Sequence, residues 1–150
     1  MGHLTFKLPK PLLPVLNCPL VWWNMTELRR QGISNVAINT HYLPEAFRGL
    51  EHEAALVGIH AKVVRETKLT GPFGGVIACS AVSNSDDDLL VLAGDGSYDV
   101  NIRQIVSMHR RCEAVLTVGV AAVQEGSRYG VLSVDRNGDV LGMVEKPAGV

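Results

Sequence analysis

The chemistry this chain could do rests on a carboxylate at the end of an apolar run and on lysines set beside prolines. Asp86–Asp95 reads DDDLLVLAGD, and its apolar part, Leu89–Ala93, is too short for a helix and has turn residues on both sides. That pattern predicts a strand buried on both faces of a parallel sheet. Ligands of open α/β sheets bind in the crevice beyond the carboxyl ends of the strands, which puts Asp95 at that edge, with Gly94 letting the backbone turn behind it. A hard carboxylate there suits Mg²⁺ and phosphate chemistry, although a strand ending in Gly-Asp is by itself more often an ordinary turn. Lys10 stands between Pro9 and Pro11, whose stiff backbone could present its charge at a fixed place; the plain alternative is a solvated loop lysine. Thr70–Gly75, TGPFGG, precedes the apolar stretch VIACSAV. Glycines ahead of a helix start can bring backbone N–H groups close to an anion or a nucleotide, and a short glycine cluster also serves simply as a turn. His60 reads as a surface residue, because no second His or Cys accompanies it at metal spacing. No Ser-His-Asp arrangement is visible.

The bulk properties narrow the class. With 150 residues, 47% of them apolar, the chain can bury the core of one domain or part of one. A formal net charge of -1 gives no basic field for nucleic acid or a membrane surface. There is no long apolar segment, and prolines break the start, MGHLTFKLPKPLLPV, which excludes an ordinary signal-peptide core. Cys18, Cys79 and Cys112 are odd in number, far apart and without a CxxC pair, so they fit a reducing cytoplasm and plain packing rather than a disulfide framework or zinc site.

The elements that must position these residues follow from periodicity and punctuation. Residues 7–19 carry four prolines and predict an extended connection. Val21, Met25 and Leu28 share a face of a helix over Leu20–Gln31, with Gly32 as its cap, and Trp22 and Trp23 read as core or half-buried groups. Ile33–Asn39 predicts a strand, Pro44 to about Leu56 a helix, and Ile59–Glu66 a second strand. A helix is expected from about Val100 to Cys112, then a strand over Ala114–Ala122. Tyr129–Val134, the turn Asp135–Gly138 and Val140–Val144 predict a hairpin in which Asn137-Gly138 supply the positive-φ positions. Alternating strands and helices followed by a hairpin make an α/β sheet with an antiparallel addition.

In this order the pieces resemble the sugar-1-phosphate nucleotidyltransferases, or nucleotide-sugar pyrophosphorylases, over nearly the whole chain. The resemblance is carried by LTFKLPKPLLPVLNCPL, by GISNVAINTHYLPE, by ETKLTGPFGG at Glu66–Gly75 against the family's E-x-x-L-L-G-T-A-G-G, by LLVLAGD, by SRYGVLSVDRNGDV and by the closing EKP. Its tone is nearest to the mannose-1-phosphate guanylyltransferase branch. It implies a Rossmann-like mixed sheet with helices on both faces, and 1–150 as a partial nucleotidyltransferase domain. It also implies a cytoplasmic enzyme that joins a sugar 1-phosphate to a nucleoside triphosphate with Mg²⁺ and releases pyrophosphate. Neither nucleic acid nor a membrane is expected as a partner, a homo-oligomer is a possible state, and base and sugar stay open. By position, Lys10 would contact the triphosphate, Gly71 and Gly74 would let the loop approach the base, and Asp95 would hold Mg²⁺. Gly130 beside Tyr129 would admit the sugar, Glu145 would accept bonds from sugar hydroxyls, and Lys146 would meet the sugar phosphate.

Three departures modify the expectation. The family opens with a strand and a G-x-G-T-R-L-x-P loop, of which Leu4-Thr5 alone match, with Met1-Gly2-His3 in its place. The family continues past EKP to a second metal-binding aspartate, whereas this chain stops at Val150. Pro72 and Phe73 replace Thr and Ala in the base loop, removing one N–H and adding bulk. Without the first strand, 33–39 and 88–93 would have to close up or leave unpaired edges. The 150 residues are therefore expected to be a poor catalyst at best, within a native chain whose length and downstream domains are open. The alternatives are a non-catalytic, regulatory nucleotide-sugar-binding homologue and an inactive fragment.

Overall fold

Prolines keep the N-terminal segment out of any α-helix, as expected, but it is not featureless. A computed structural model of the chain describes residues 2–82 and 87–147. Met1, Asp86 and Val150, named above, lie outside these residues. Gly2–Phe6 and Lys10–Leu12 are single 3₁₀ turns, and two-residue strands β1 (Pro14–Val15) and β2 (Cys18–Pro19) pair antiparallel. Leu16 and Asn17 join them at φ 52° and 63°, the backbone of a two-residue hairpin turn. The chain divides into two units, Met1–Gln104 and Ile105–Val150.

In the first unit, helix α1 (Leu20–Arg30) buries Val21, Met25 and Leu28, as the spacing predicts. Its end is closed by Gly32 at φ 93°: the Gly32 N–H donates to Arg29 O at 3.0 Å and the Ile33 N–H to Leu28 O at 2.9 Å. These are the two bonds by which a left-handed residue satisfies the last carbonyls of a helix. Strands β3 (Asn35–Thr40) and β4 (His60–Arg65) run parallel, in register from Asn35↔His60 to Thr40↔Arg65. The helix expected over 44–56 is broken. Pro44–Phe47 is 3₁₀, Arg48 is extended, Gly49 takes φ 89°, and α2 runs only over Leu50–Leu56. Gly49 supplies a left-handed backbone that a continuous helix does not have. Gly58 at φ 75° repeats the α1 ending, with Ile59 N–H donating to Ala54 O.

Val21, Met25, Phe47, Leu50, Ala54 and Ile59 form the core, and Val36, Ile38, Ala61 and Val63 pack against it. Alternation along β3 sends Asn39 to the opposite face from Val36 and Ile38, and there helix α3 (Gly71–Ser80) packs with Gly75 over the Asn39 side chain. Helices thus cover both faces of the β3–β4 pair, the mixed α/β arrangement expected. The edge of β4 is closed by α2, whose Glu51 Oε1 accepts the Val63 N–H at 2.7 Å.

Two expected strands are corrected. Residues 88–93 form no ladder among the described residues, and Leu89 and Val91 are more than half exposed. The same holds for 114–122, where Leu116 is 75% exposed. An apolar run becomes a buried strand only between two neighbours, and none pairs with either run here. Among the described residues the strands form three two-stranded pairs, one parallel and two antiparallel. Helix α4 (Ile102–Arg111) starts where expected: Ile102 is buried and its N–H donates to Gln31 Oε1 at 2.7 Å.

In the second unit the end of α4 is closed by Glu113 at φ 49°, with Ala114 N–H donating to His109 O. The hairpin is present as β5 (Gly130–Val134) and β6 (Val140–Glu145). Its loop differs from the two-position turn predicted. Gly138 has φ 91° while Asn137 stays at negative φ, and Asp135 N–H donates to Asp139 O across a five-residue loop. No helix among the described residues is long and apolar enough to cross a membrane.

Candidate functional site

Asp95 is positioned by a loop that three side chains hold. Gly96 N–H donates to Ala93 O at 3.3 Å, closing a turn over Gly94 and Asp95. Tyr98 Oη donates to the same carbonyl at 2.7 Å, and Asn24 Nδ2 on α1 donates to Gly96 O at 2.8 Å. Gly94 does not have positive φ, so its role differs from the one expected: a Cβ there would already touch Pro11 Cγ at 3.4 Å. That close approach sets the Asp95 loop beside the Lys10–Leu12 turn. Lys10 Nζ and Asp95 Oδ2 then lie 3.3 Å apart, across 85 positions of sequence, with both side chains about half exposed.

The sequence predicts a loop ahead of a helix at Gly71 and Gly74; in the structure both lie in the first turns of α3. Pro72 sits in the first turn of α3, where no hydrogen bond is lost, and Gly71 takes φ 80°. A Cβ on Gly74 would overlap the Thr70 hydroxyl, and one on Gly75 would meet Asn39 Nδ2 and Glu66 Oε1. No side-chain hydrogen bond among the described residues links this cluster to Lys10 or Asp95.

Beneath the glycines is a polar network to which the sequence alone assigns no role. Glu66 is buried, accepts Asn39 Nδ2 at 2.7 Å on Oε1, and accepts Thr70 Oγ1 at 3.1 Å on Oε2. The Asn39 bond, seconded by the Thr70 hydroxyl and N–H and by the charge of His41, holds its carboxyl below the ordinary value against the opposing effect of burial. Cys79 on α3 is pushed the other way, first by burial and then by the Glu66 charge, so it stays a protonated packing group. The available signal was a lone Glu at the end of an alternating strand with a Thr four residues later.

In the second unit the remaining residues gather at the open end of the hairpin. Gly130 pairs with Glu145, and a Cβ on Gly130 would press on Met143 Cε at 2.7 Å and Glu145 Oε2 at 3.1 Å. Lys146 takes φ 46° and donates its N–H to Tyr129 O at 2.9 Å. Its Nζ lies 3.8 Å from Glu145 Oε1, and both side chains are exposed. A carboxylate acceptor and an ammonium donor thus stand side by side next to a residue without a side chain.

Among the described residues no group of three or more His, Cys, Asp or Glu converges as a metal cage. The donor set at Asp95 is one hard, half-exposed carboxylate, which fits an ion that takes one or two carboxylates and completes its shell with phosphate and water. A broader groove of about 430 Å³, lined by Thr40, Phe47, Arg48, Glu51 and Arg65, contains none of the expected site residues.

Comparison with known proteins gives the family and the fold. A family model described as "Nucleotidyl transferase" matches residues 2–150. A mannose-1-phosphate guanylyltransferase catalytic subunit beta from Drosophila pseudoobscura pseudoobscura is 32% identical over 146 residues, covering 96% of this chain and 39% of the relative. A UTP--glucose-1-phosphate uridylyltransferase from Synechocystis is 28% identical over 157 residues, covering 97% of this chain and 40% of the relative. The crystal structure of an apo UDP-glucose pyrophosphorylase superposes with a TM-score of 0.73 at 20% identity, covering 98% of this chain and 65% of that one. The chain therefore spans about 40% of the length of these curated relatives.

Proposed function

The chain belongs to the nucleotidyl transferase family, and from that premise we propose that it carries the nucleotide-binding part of a sugar-1-phosphate nucleotidyltransferase of the GDP-mannose type. The observation that carries the reading is the meeting of Lys10 and Asp95 at 3.3 Å on the exposed surface. Distant residues held there by Gly94, Pro11, Asn24 and Tyr98 serve a ligand better than they serve the fold. The guanine choice follows the relative with the highest identity quoted above.

The chemistry needs no activated side-chain nucleophile. An oxygen of the sugar 1-phosphate, already an anion, attacks the α-phosphorus of the triphosphate; the bond from that phosphorus to the bridging oxygen breaks, and pyrophosphate leaves with the electron pair. Positioning and neutralisation of charge are what such a reaction asks of a protein. Lys10 would leave Asp95 for the triphosphate, and Asp95 would hold Mg²⁺, whose contribution when bound is to withdraw charge from phosphate oxygens. Gly71 and Gly74 would let the backbone approach the nucleotide base. Glu145 would accept from sugar hydroxyls, Lys146 would meet the sugar phosphate, and Gly130 would leave room for the ring.

The test is calorimetric titration of the 150-residue chain with GTP and with UTP, each with Mg²⁺, followed by an assay for GDP-mannose from GTP and mannose 1-phosphate. The reading expects GTP to bind more tightly than UTP and turnover to be slow. Binding of neither nucleotide would overturn it, and tighter UTP binding would overturn the guanine assignment.

A further inference from the structure

Among the described residues, Glu66 is the buried charged side chain of the molecule. A buried carboxylate is costly unless every oxygen is satisfied, and here the donors come from separate elements. Asn39 stands near the end of β3, Glu66 directly follows β4, and Thr70 directly precedes α3. Glu66 adds its backbone to the same knot: its N–H donates to Thr40 O at 2.8 Å and its carbonyl oxygen meets His41 Nδ1 at 3.0 Å. Gly75 then lies on top of the Asn39–Glu66 bond, so close that no side chain fits between. The start of α3 is thereby fixed by one carboxylate to the carboxyl ends of both parallel strands.

We propose that Glu66 is a positioning residue for nucleotide binding: it clamps Thr70 to Asn39 and so fixes where the Gly71–Gly75 backbone meets the nucleotide. The proposal rests on the nucleotide-binding reading above. It assigns Glu66 no contact with the nucleotide. The carboxylate acts through Asn39 and Thr70, and its two oxygens are already occupied by them.

The geometry allows a swap that separates positioning from mere stability. In Glu66→Gln one oxygen that accepted a bond becomes an amide, which either meets Asn39 Nδ2 donor against donor or turns the Asn39 side chain over, and in both cases the charge-assisted bonds to the carboxylate are lost. Adding Asn39→Asp reverses the polarity: the Gln amide donates to the new carboxylate while its oxygen still accepts from the Thr70 hydroxyl. The full chain and these variants are titrated with GTP, and hydrogen exchange is followed at the amides of 71–76. E66Q is expected to weaken GTP binding by about tenfold or more and to speed exchange at 71–76, while exchange in α1 is unchanged. The N39D/E66Q pair is expected to recover both readouts. Unchanged affinity and exchange in E66Q would overturn the proposal. Recovery of melting temperature and exchange without recovery of affinity would also overturn it, because Glu66 would then touch the nucleotide itself. Should E66Q fail to fold, Thr70→Val removes one donor only and must show the same two losses. Failure of the unmodified chain to bind GTP or UTP would remove the nucleotide reading alone, since the clamp is judged separately by exchange.

Discussion

Lys10 and Asp95 are a poor device for holding a protein together. A half-exposed ion pair of this kind contributes about 0–1 kcal/mol, screened further by salt. Asp95→Asn is therefore expected to leave the melting temperature nearly unchanged while GTP binding in the presence of Mg²⁺ falls by about tenfold or more. A large drop in melting temperature with unaltered affinity would make the pair structural. Glu66 is the opposite case, a buried carboxylate that the fold keeps ionised. Its folded value lies below the ordinary one, chiefly because of the Asn39 bond, so its contribution is complete above the unfolded carboxylate range and is lost as pH falls through the folded value. The stability advantage of the natural chain over Glu66→Gln should thus be constant from neutral pH down to about pH 5 and shrink below that. Denaturation followed across this range checks it; an advantage independent of pH would mean that ionisation of Glu66 does not matter.

Helix ends were the most legible elements, because a left-handed residue after an amphipathic run has one mechanical meaning. Gly32 and Gly58 close α1 and α2 by the same pair of backbone bonds. The ending of α4 is the informative one, since Glu113 stands at φ 49° where α1 and α2 have glycine. No composition rule announces a glutamate there, and the sequence accordingly predicts a helix end at Cys112 without a cap. A non-glycine residue in this conformation costs about 1 kcal/mol. Glu113→Gly should stabilise the chain by about 0.5–1 kcal/mol, visible as a higher denaturation midpoint without a change in slope. A lower midpoint would show that the glutamate side chain contributes more than the backbone strain removes. Elsewhere the period was right and the break was missed. Pro44 does open a helical segment, but Gly49 splits it into a 3₁₀ turn and α2. The hairpin was legible from Asn137-Gly138, yet Asp135 organises its loop, its Oδ1 accepting the N–H groups of Asn137 and Asp139 at 2.8 Å each.

What could not be read locally is which strand pairs with which. An apolar run such as Leu89–Ala93 or Ala114–Ala122 shows that burial suits those side chains; it does not show a ladder partner. Unit 1 answers this for β3 and β4, whose shared apolar face is covered by α1 and α2. The open edge of β4 is blunted by Glu51, whose carboxylate accepts the Val63 N–H. The site divides along the same line. Lys10, Asp95 and the glycines of α3 are held by packed elements, and Glu66 became visible only when the ends of two strands and a helix start were brought together. Stability should therefore be uneven along the chain. Amides in the ordered ladder and beneath the core should exchange through the largest opening the protein undergoes, whereas amides of 88–93 and 114–122, with no ladder and exposed side chains, should exchange close to the rate of an unfolded chain. Hydrogen exchange of the 150-residue chain at neutral pH measures this directly. Protection of 88–93 equal to that of β3 would mean that this run has found a strand partner in solution, and the Asp95 loop that follows it would then be held by a sheet as well as by Asn24, Tyr98 and Pro11.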